Sequence, residues 1–260
     1  MVKADLDDVA SLRRAFADAH GVFGVTNFWE HLSPEKELTQ AANLSVAARA
    51  AGVKHFVWST LEDTRKLVPL SDRRMPTLMG KYKVPHFDAK GEADALFAEL
   101  PTTYLATSFY WENLIHFGMG PKPVGDGTYA FALPLGSNTK LPAIAVEDIG
   151  KVAHAIFRRG SPFLGRTVAI AGEQLTGPEM AAALGRALGK TVKYRPLSFD
   201  AYRSLPFPGA DDLGNMFQYQ HEFPEEFCGP RDPAIARALN PELQSFATWL
   251  DRNAGRIPLG

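Results

Sequence analysis

The chain has 260 residues, 45% of them hydrophobic and 22% charged, which excludes disordered and fibrous classes and leaves room for one large domain or a domain with a smaller lobe. A formal net charge of −1 offers no broad basic face, so no direct nucleic-acid contact is expected. A single cysteine, Cys228, an acidic opening and the lack of any apolar run near the roughly 18 residues of a membrane span point to a reducing, cytoplasmic setting with no membrane segment.

The chain opens on "MVKADLDD". From Asp7 to Gly21 the pattern puts Val9, Leu12, Phe16 and Ala19 on one stripe and predicts a helix. "VFGVTNF" reads as a short strand. The segment after it offers Ser33 as N-cap, Pro34 at the first helical position and Gly52 as the stop. "KHFVWST" is the next buried strand, a helix starts near Pro85, and "TTYLATSF" is a further strand. Strands separated by helix-length segments predict an α/β fold, a Rossmann-like doubly wound parallel sheet with helices on both faces. Beyond residue 115 the alternation loosens into "GDGTYAFALPLG" (turn and strand), "AVEDIGKVAHAIFRRG" (helix), "GRTVAIAG" (strand) and "TGPEMAAALGRALG" (helix), followed by mostly helical sequence. Residues 1–115 are therefore expected to form the core. Residues 116–260 are expected to form mainly a smaller C-terminal α+β lobe, with the chain returning to the core.

Such a sheet calls for a glycine-rich turn between strand and helix to hold a pyrophosphate. Gly21 and Gly24 in "HGVFGV" lead into a strand, which is the wrong context. The sequence also holds no phosphate-binding lysine loop, no metal-ligand cluster of short spacing and no G-x-S-x-G elbow.

"VTNFWEH", "STLED", "HFDAKGEAD", "SFYWENL" and "FPGADDLGNMF", in this order, resemble the NmrA-like family, specifically its HSCARG-type branch. That family groups atypical relatives of the short-chain dehydrogenases/reductases that bind NADP and act as redox sensors or regulators. The resemblance runs over essentially the whole chain. It implies that "ADLDD" ends the third strand of the family sheet, after a glycine-rich βαβ segment of roughly 60 residues. Without that segment the chain is expected to expose a sheet edge, to bind NADPH no tighter than about millimolar, and to aggregate or form a homodimer.

The same resemblance assigns the cofactor's adenine side to Asp5 and Leu6, its nicotinamide ribose to Thr26, Asn27 and Phe28, and the segment closing over the nicotinamide to Tyr110, Trp111, Glu112 and Asn113. Each has a plainer reading as a turn or as core; Trp29 reads as packing. Short-chain dehydrogenases pair a serine with Tyr-x-x-x-Lys, the lysine lowering the phenol pKa. Here the pattern is His86-x-x-x-Lys90, one helical turn apart, and Pro85 rules out a continuous helix back to Tyr82. Lys90 is expected to serve cofactor ribose hydroxyls, His86 to be a weak candidate acid or base, and Ser59 to be a catalytic serine or a strand-end hydroxyl. The function implied is an NAD(P)-linked redox sensor or regulator with a regulatory protein partner. Two alternatives remain: an NADPH-dependent reductase of the isoflavone- or quinone-reductase kind using Lys90, and a cofactor-free interaction module.

Overall fold

The computed structural model describes residues 1–260. The chain divides into two compact units, residues 1–106 with 153–168 and residues 107–152 with 169–260. In the first, helix α1 (Val9–Phe16) is capped by Asp8, whose carboxylate accepts the amides of Ala10 and Ser11. The predicted start at Asp7 moves by one residue, because the Asp7 carboxylate is instead engaged by Lys36 Nζ at 2.5 Å and by Gln40 Nε2. The helix also stops short of Ala19: Ala17 leaves helical geometry and Asp18 turns left-handed at φ +61°. Residues 1–5 form no strand, so the strand end that the resemblance puts at "ADLDD" is absent. The Asp5 amide bonds Ser11 Oγ at 2.9 Å rather than a neighbouring strand.

Strand β1 (Gly21–Gly24), helix α2 (Pro34–Ala50), strand β2 (His55–Thr60), helix α3 (Pro85–Ala93) and strand β3 (Thr102–Ala106) follow. Both helices open on proline, whose fixed φ suits the first turn and whose missing N–H has no partner to lose there. Ser33 Oγ caps α2 through the Lys36 amide. Alternate residues of β2 face opposite layers. On one side, Phe56 and Trp58 stack on Phe97 at 4.9 and 4.5 Å, contacts worth about 0.5–1.5 kcal/mol each beyond their burial. Leu12, Ala41, Leu44 and Ala48 complete this cluster. On the other side the His55 ring meets Phe157 at 5.2 Å.

Strand β4 (Phe109–Tyr110), helix α4 (Asn113–His116), hairpin β5–β6 (Lys122–Gly125, Thr128–Phe131) and strand β7 (Lys140–Ile144) belong to the second unit. Helix α5 (Val146–Arg159) runs through the division, and strand β8 (Thr167–Ala169) completes a four-stranded parallel sheet ordered β1-β2-β3-β8. The predicted strand "TTYLATSF" is thus two, β3 and β4, assigned to different sheets. The rest is β9 (Glu173–Thr176), α6 (Gly177–Leu188), β10 (Thr191–Tyr194), α7 (Phe199–Arg203), α8 (Ala210–Glu222), α9 (Pro224–Cys228), α10 (Pro233–Leu239) and α11 (Phe246–Asn253).

Buried polar groups bind the second unit together. Asp148 accepts Asn240 Nδ2 at 2.9 Å and the Gln244 amide at 3.0 Å, and the buried Arg231 gives Nε to the Thr107 carbonyl at 2.9 Å. No helix is long and apolar enough to cross a membrane.

A buried lysine at the carboxyl ends of the first strands

The first unit gathers its polar chemistry where β1 and β2 end. Parallel strands leave their carboxyl ends facing one edge of the sheet, and open α/β sheets hold ligands there. Thr26 follows β1, Ser59 lies near the end of β2, Lys90 sits on α3, and Glu37 lies in the first turn of α2. All four are buried.

The Lys90 ammonium lies 2.8 Å from Thr26 Oγ1 and 3.0 Å from Glu37 Oε1, with the carbonyls of Thr26 and Ser59 each at 3.3 Å. Thr26 donates its hydroxyl proton to Glu37 Oε1 at 2.5 Å while accepting from Lys90. The Trp58 ring lies 5.0 Å from the ammonium. Burial pulls the Lys90 pKa below the ordinary lysine value, and the charges of Glu37 and Asp94 oppose that fall. An ammonium has three protons to give, and four protein acceptors lie within reach.

His86 lies one turn before Lys90 on α3, its ring 4.8 Å from Trp29 and 4.7 Å from Phe87. Tyr82 lies outside the helix, paired with Leu78 in an isolated bridge. Trp29, read from the sequence as packing, is part of this aromatic group. Phe28 is buried in the same group, whereas Asn27 is exposed. The Asp5 carboxylate closes a local turn onto the Asp7 amide, and Leu6 packs against the core while its carbonyl takes Asn43 Nδ2.

In the second unit, Tyr110 pairs its hydroxyl with Thr107 Oγ1 at 3.1 Å, and burial raises its pKa. Trp111 is core, 5.4 Å from Phe246. Glu112 spends one carboxylate oxygen on Trp249 Nε1 and the other on the amide that starts α5. Asn113 begins α4.

The sequence reading missed Glu37. The signal was there: 37, 41, 44 and 48 form one helical stripe, and a carboxylate stands where the rest of the stripe is Ala41, Leu44 and Ala48. A charge on a buried stripe needs a partner, and Lys90 is it. No group of three or more His, Cys, Asp or Glu side chains is placed to hold a metal ion.

A parallel sheet flanked by helices, with a buried lysine at its carboxyl edge, defines a Rossmann-like α/β protein. The chain belongs to the NmrA-like family, whose model matches residues 1–250. It is 29% identical over 258 residues to an NAD(P)H azoreductase of Xenophilus azovorans, covering 96% of this chain and 81% of that protein. A nitrogen metabolite repression protein of Neurospora crassa is 29% identical over 197 residues, 70% of this chain and 38% of that protein. Among solved structures, NmrA, a negative transcriptional regulator, superposes with a TM-score of 0.75 at 22% identity, over 96% of this chain and 77% of that one. NmrA has been solved in complex with NAD and with NADP.

The residues of this chain fit one end of such a cofactor. Two of the four Lys90 contacts are long carbonyl contacts that a ribose hydroxyl could replace, with the Thr26 hydroxyl beside them. The pyrophosphate end is not matched: the turns entering α2 and α3 are Ser33-Pro34 and Val84-Pro85, neither containing a glycine.

Proposed function

We propose that this protein is an NAD(P)-linked redox sensor or regulator of the NmrA-like family, not a turnover enzyme. The observation that carries the reading is the state of the His86–Lys90 pair. The position that holds the tyrosine acid in short-chain dehydrogenases is a histidine packed among Trp29, Phe28 and Phe87. The lysine that would lower that acid's pKa already directs its protons to Thr26, Glu37 and Ser59. A proton relay needs an acid in line with the substrate and a lysine free to tune it. This cluster lacks such an acid, while the two long contacts of Lys90 leave its ammonium able to turn toward a ribose.

Thr26 and Lys90 would hold the nicotinamide ribose, its hydroxyls taking the place of the long Lys90 contacts to the Thr26 and Ser59 carbonyls while Glu37 keeps the ammonium in place. Bound in its reduced form, NADPH would supply a hydride, and in its oxidised form NADP would accept one. The residues of this chain bind and orient; none is set to move a proton.

The test is equilibrium titration with NADPH, followed by steady-state oxidation of NADPH with a panel of quinones, azo dyes and enones. Binding that weakens in Lys90→Met, with no turnover, is the expected result. Steady turnover that disappears in Lys90→Ala would establish a reductase, the reading that the resemblance to the azoreductase favours. No saturable binding of NADPH up to about 20 mM, well above the expected Kd, would leave a cofactor-free interaction module.

A further inference from the structure

The Glu37 carboxylate is fully buried and has two distinct ends. Oε1 takes Thr26 and Lys90; Oε2 has no hydrogen-bond partner and faces His31 Nε2 at 3.5 Å, an atom equally buried and without a hydrogen bond. The tautomer of His31 follows from its other nitrogen. The Ser33 amide, which can only donate, points at His31 Nδ1 at 3.1 Å, so Nδ1 carries the lone pair and the ring proton is on Nε2, aimed at Glu37. Ser33 is also the N-cap of α2, so one short segment, "HLSPEKE", fixes the helix start, the ring and the carboxylate together.

We propose that Glu37 is the positioning residue of Lys90, holding the ammonium in place and keeping it charged, with His31 fixing the far oxygen of the carboxylate. The reasoning is electrostatic. A lysine amine out of water loses its proton unless an opposite charge lies close. The groups facing Lys90 are Glu37 from α2, Asp94 just past the end of α3, the Thr26 and Ser59 oxygens at the strand ends, the Trp58 ring from β2, and His86 one turn earlier on α3. Only Glu37 places a carboxylate oxygen in contact, at 3.0 Å. The consequence for NADPH rests on the function proposed above; the charge of the lysine does not.

The experiment is a pH titration of the full chain labelled with nitrogen-15 lysine, following the Lys90 Nζ signal assigned by its loss in Lys90→Met. Glu37→Gln is expected to lower the midpoint of ammonium deprotonation by about one pH unit or more. Glu37→Asp, which restores the carboxylate, should recover most of that difference, a recovery that a merely structural role for Glu37 would not produce. An unchanged midpoint in Glu37→Gln overturns the proposal. If that variant does not fold, Glu37→Asp and His31→Gln carry the test: the aspartate must keep the midpoint within about half a unit of the parent and the histidine variant must leave the ammonium charged at neutral pH, and failure of either overturns it. NADPH titration separates the two readings. A shifted midpoint with unaltered NADPH affinity in both Lys90→Met and Glu37→Gln supports the positioning role and removes the cofactor reading. Affinity lost in Lys90→Met together with an unchanged midpoint in Glu37→Gln overturns the positioning role and leaves the cofactor reading standing.

Discussion

His86 and Asp94 show how differently two titratable side chains on the same stretch of chain can behave. The His86 ring sits among Phe28, Trp29 and Phe87, so a phenyl ring there keeps the aromatic packing at the cost of modest crowding. His86→Phe should therefore leave NADPH affinity within about threefold, a change of under about 1 kcal/mol, in a fluorescence titration. A variant that binds normally but loses a turnover the parent possesses would make His86 the proton donor. Asp94 is held by Trp58 Nε1 at 3.0 Å and Thr60 Oγ1 at 2.6 Å, yet burial dominates and pushes its pKa up from 3.8 to about 6. The folded state thus prefers the protonated acid. Its contribution to stability is fully present below about pH 4 and is lost as pH rises through about 6. Asp94→Asn keeps an oxygen for Trp58 and Thr60 and removes the charge. Urea unfolding should find this variant more stable than the parent near pH 8, by about 1–3 kcal/mol, with the gap closing toward pH 4. A variant less stable than the parent at pH 8 would contradict this.

At the scale of elements, α3 and the loop before it hold together through one carboxylate and one glycine. Asp88 is buried and accepts Thr64 N and Oγ1, Lys83 N and Val84 N, which ties both ends of the 61–84 loop to the helix; burial raises its pKa against those four bonds. One turn on, a Cβ at Gly91 would lie 2.5 Å from the Asp63 backbone nitrogen, so the loop lies directly on the helix where a side chain is missing. Helix propensity alone says Gly91→Ala should stabilise by about 1 kcal/mol. The contact is with backbone, which cannot rotate away, so overpacking wins and the variant should lose about 1–3 kcal/mol in thermal or urea unfolding. Faster cleavage within 61–84 under limited proteolysis should accompany the loss. A stabilised Gly91→Ala would mean that the loop moves aside freely. These two residues also mark what the sequence could and could not disclose. Ser33-Pro34, Pro85 and the run "KHFVWST" announce their elements through local chemistry, since caps and β-branched runs act over a few residues. The loop's order comes from a carboxylate 24 residues away from Thr64, and the Lys90 site from a glutamate 53 positions earlier in the chain, which no local pattern encodes as a pair. Part of that site was legible, because Thr26, Ser59 and Lys90 stand in motifs of the family; that Glu37 is the partner of Lys90, with His31 beside it, became visible only when α2 was laid against α3.

For the molecule as a whole, the distribution of charge on the ligand sets the expectation. The pyrophosphate carries the strongest charge of NADPH, and its usual hosts are backbone N–H groups at a glycine-rich helix start. Helices α2 and α3 both begin with proline, which lacks that N–H, and α2 further occupies its first turn with the Ser33 hydroxyl. What the first unit offers is the Lys90–Thr26 cluster, suited to the hydroxyls of a ribose, where a charge-assisted hydrogen bond is worth about 1.5–3 kcal/mol. One such contact supports an affinity no better than about millimolar, since 1 mM already corresponds to about 4 kcal/mol. Two results follow for the 260-residue chain. NADPH should bind with a Kd of about a millimolar or weaker, followed by the fluorescence of Trp58, whose ring lies 5.0 Å from the Lys90 ammonium. Reduced nicotinamide mononucleotide, which lacks the adenosine half and the pyrophosphate, should bind within about threefold of NADPH, and Lys90→Met should weaken both by about tenfold. Micromolar binding of NADPH with much weaker binding of the mononucleotide would mean that this chain holds the pyrophosphate after all, by contacts other than a glycine turn.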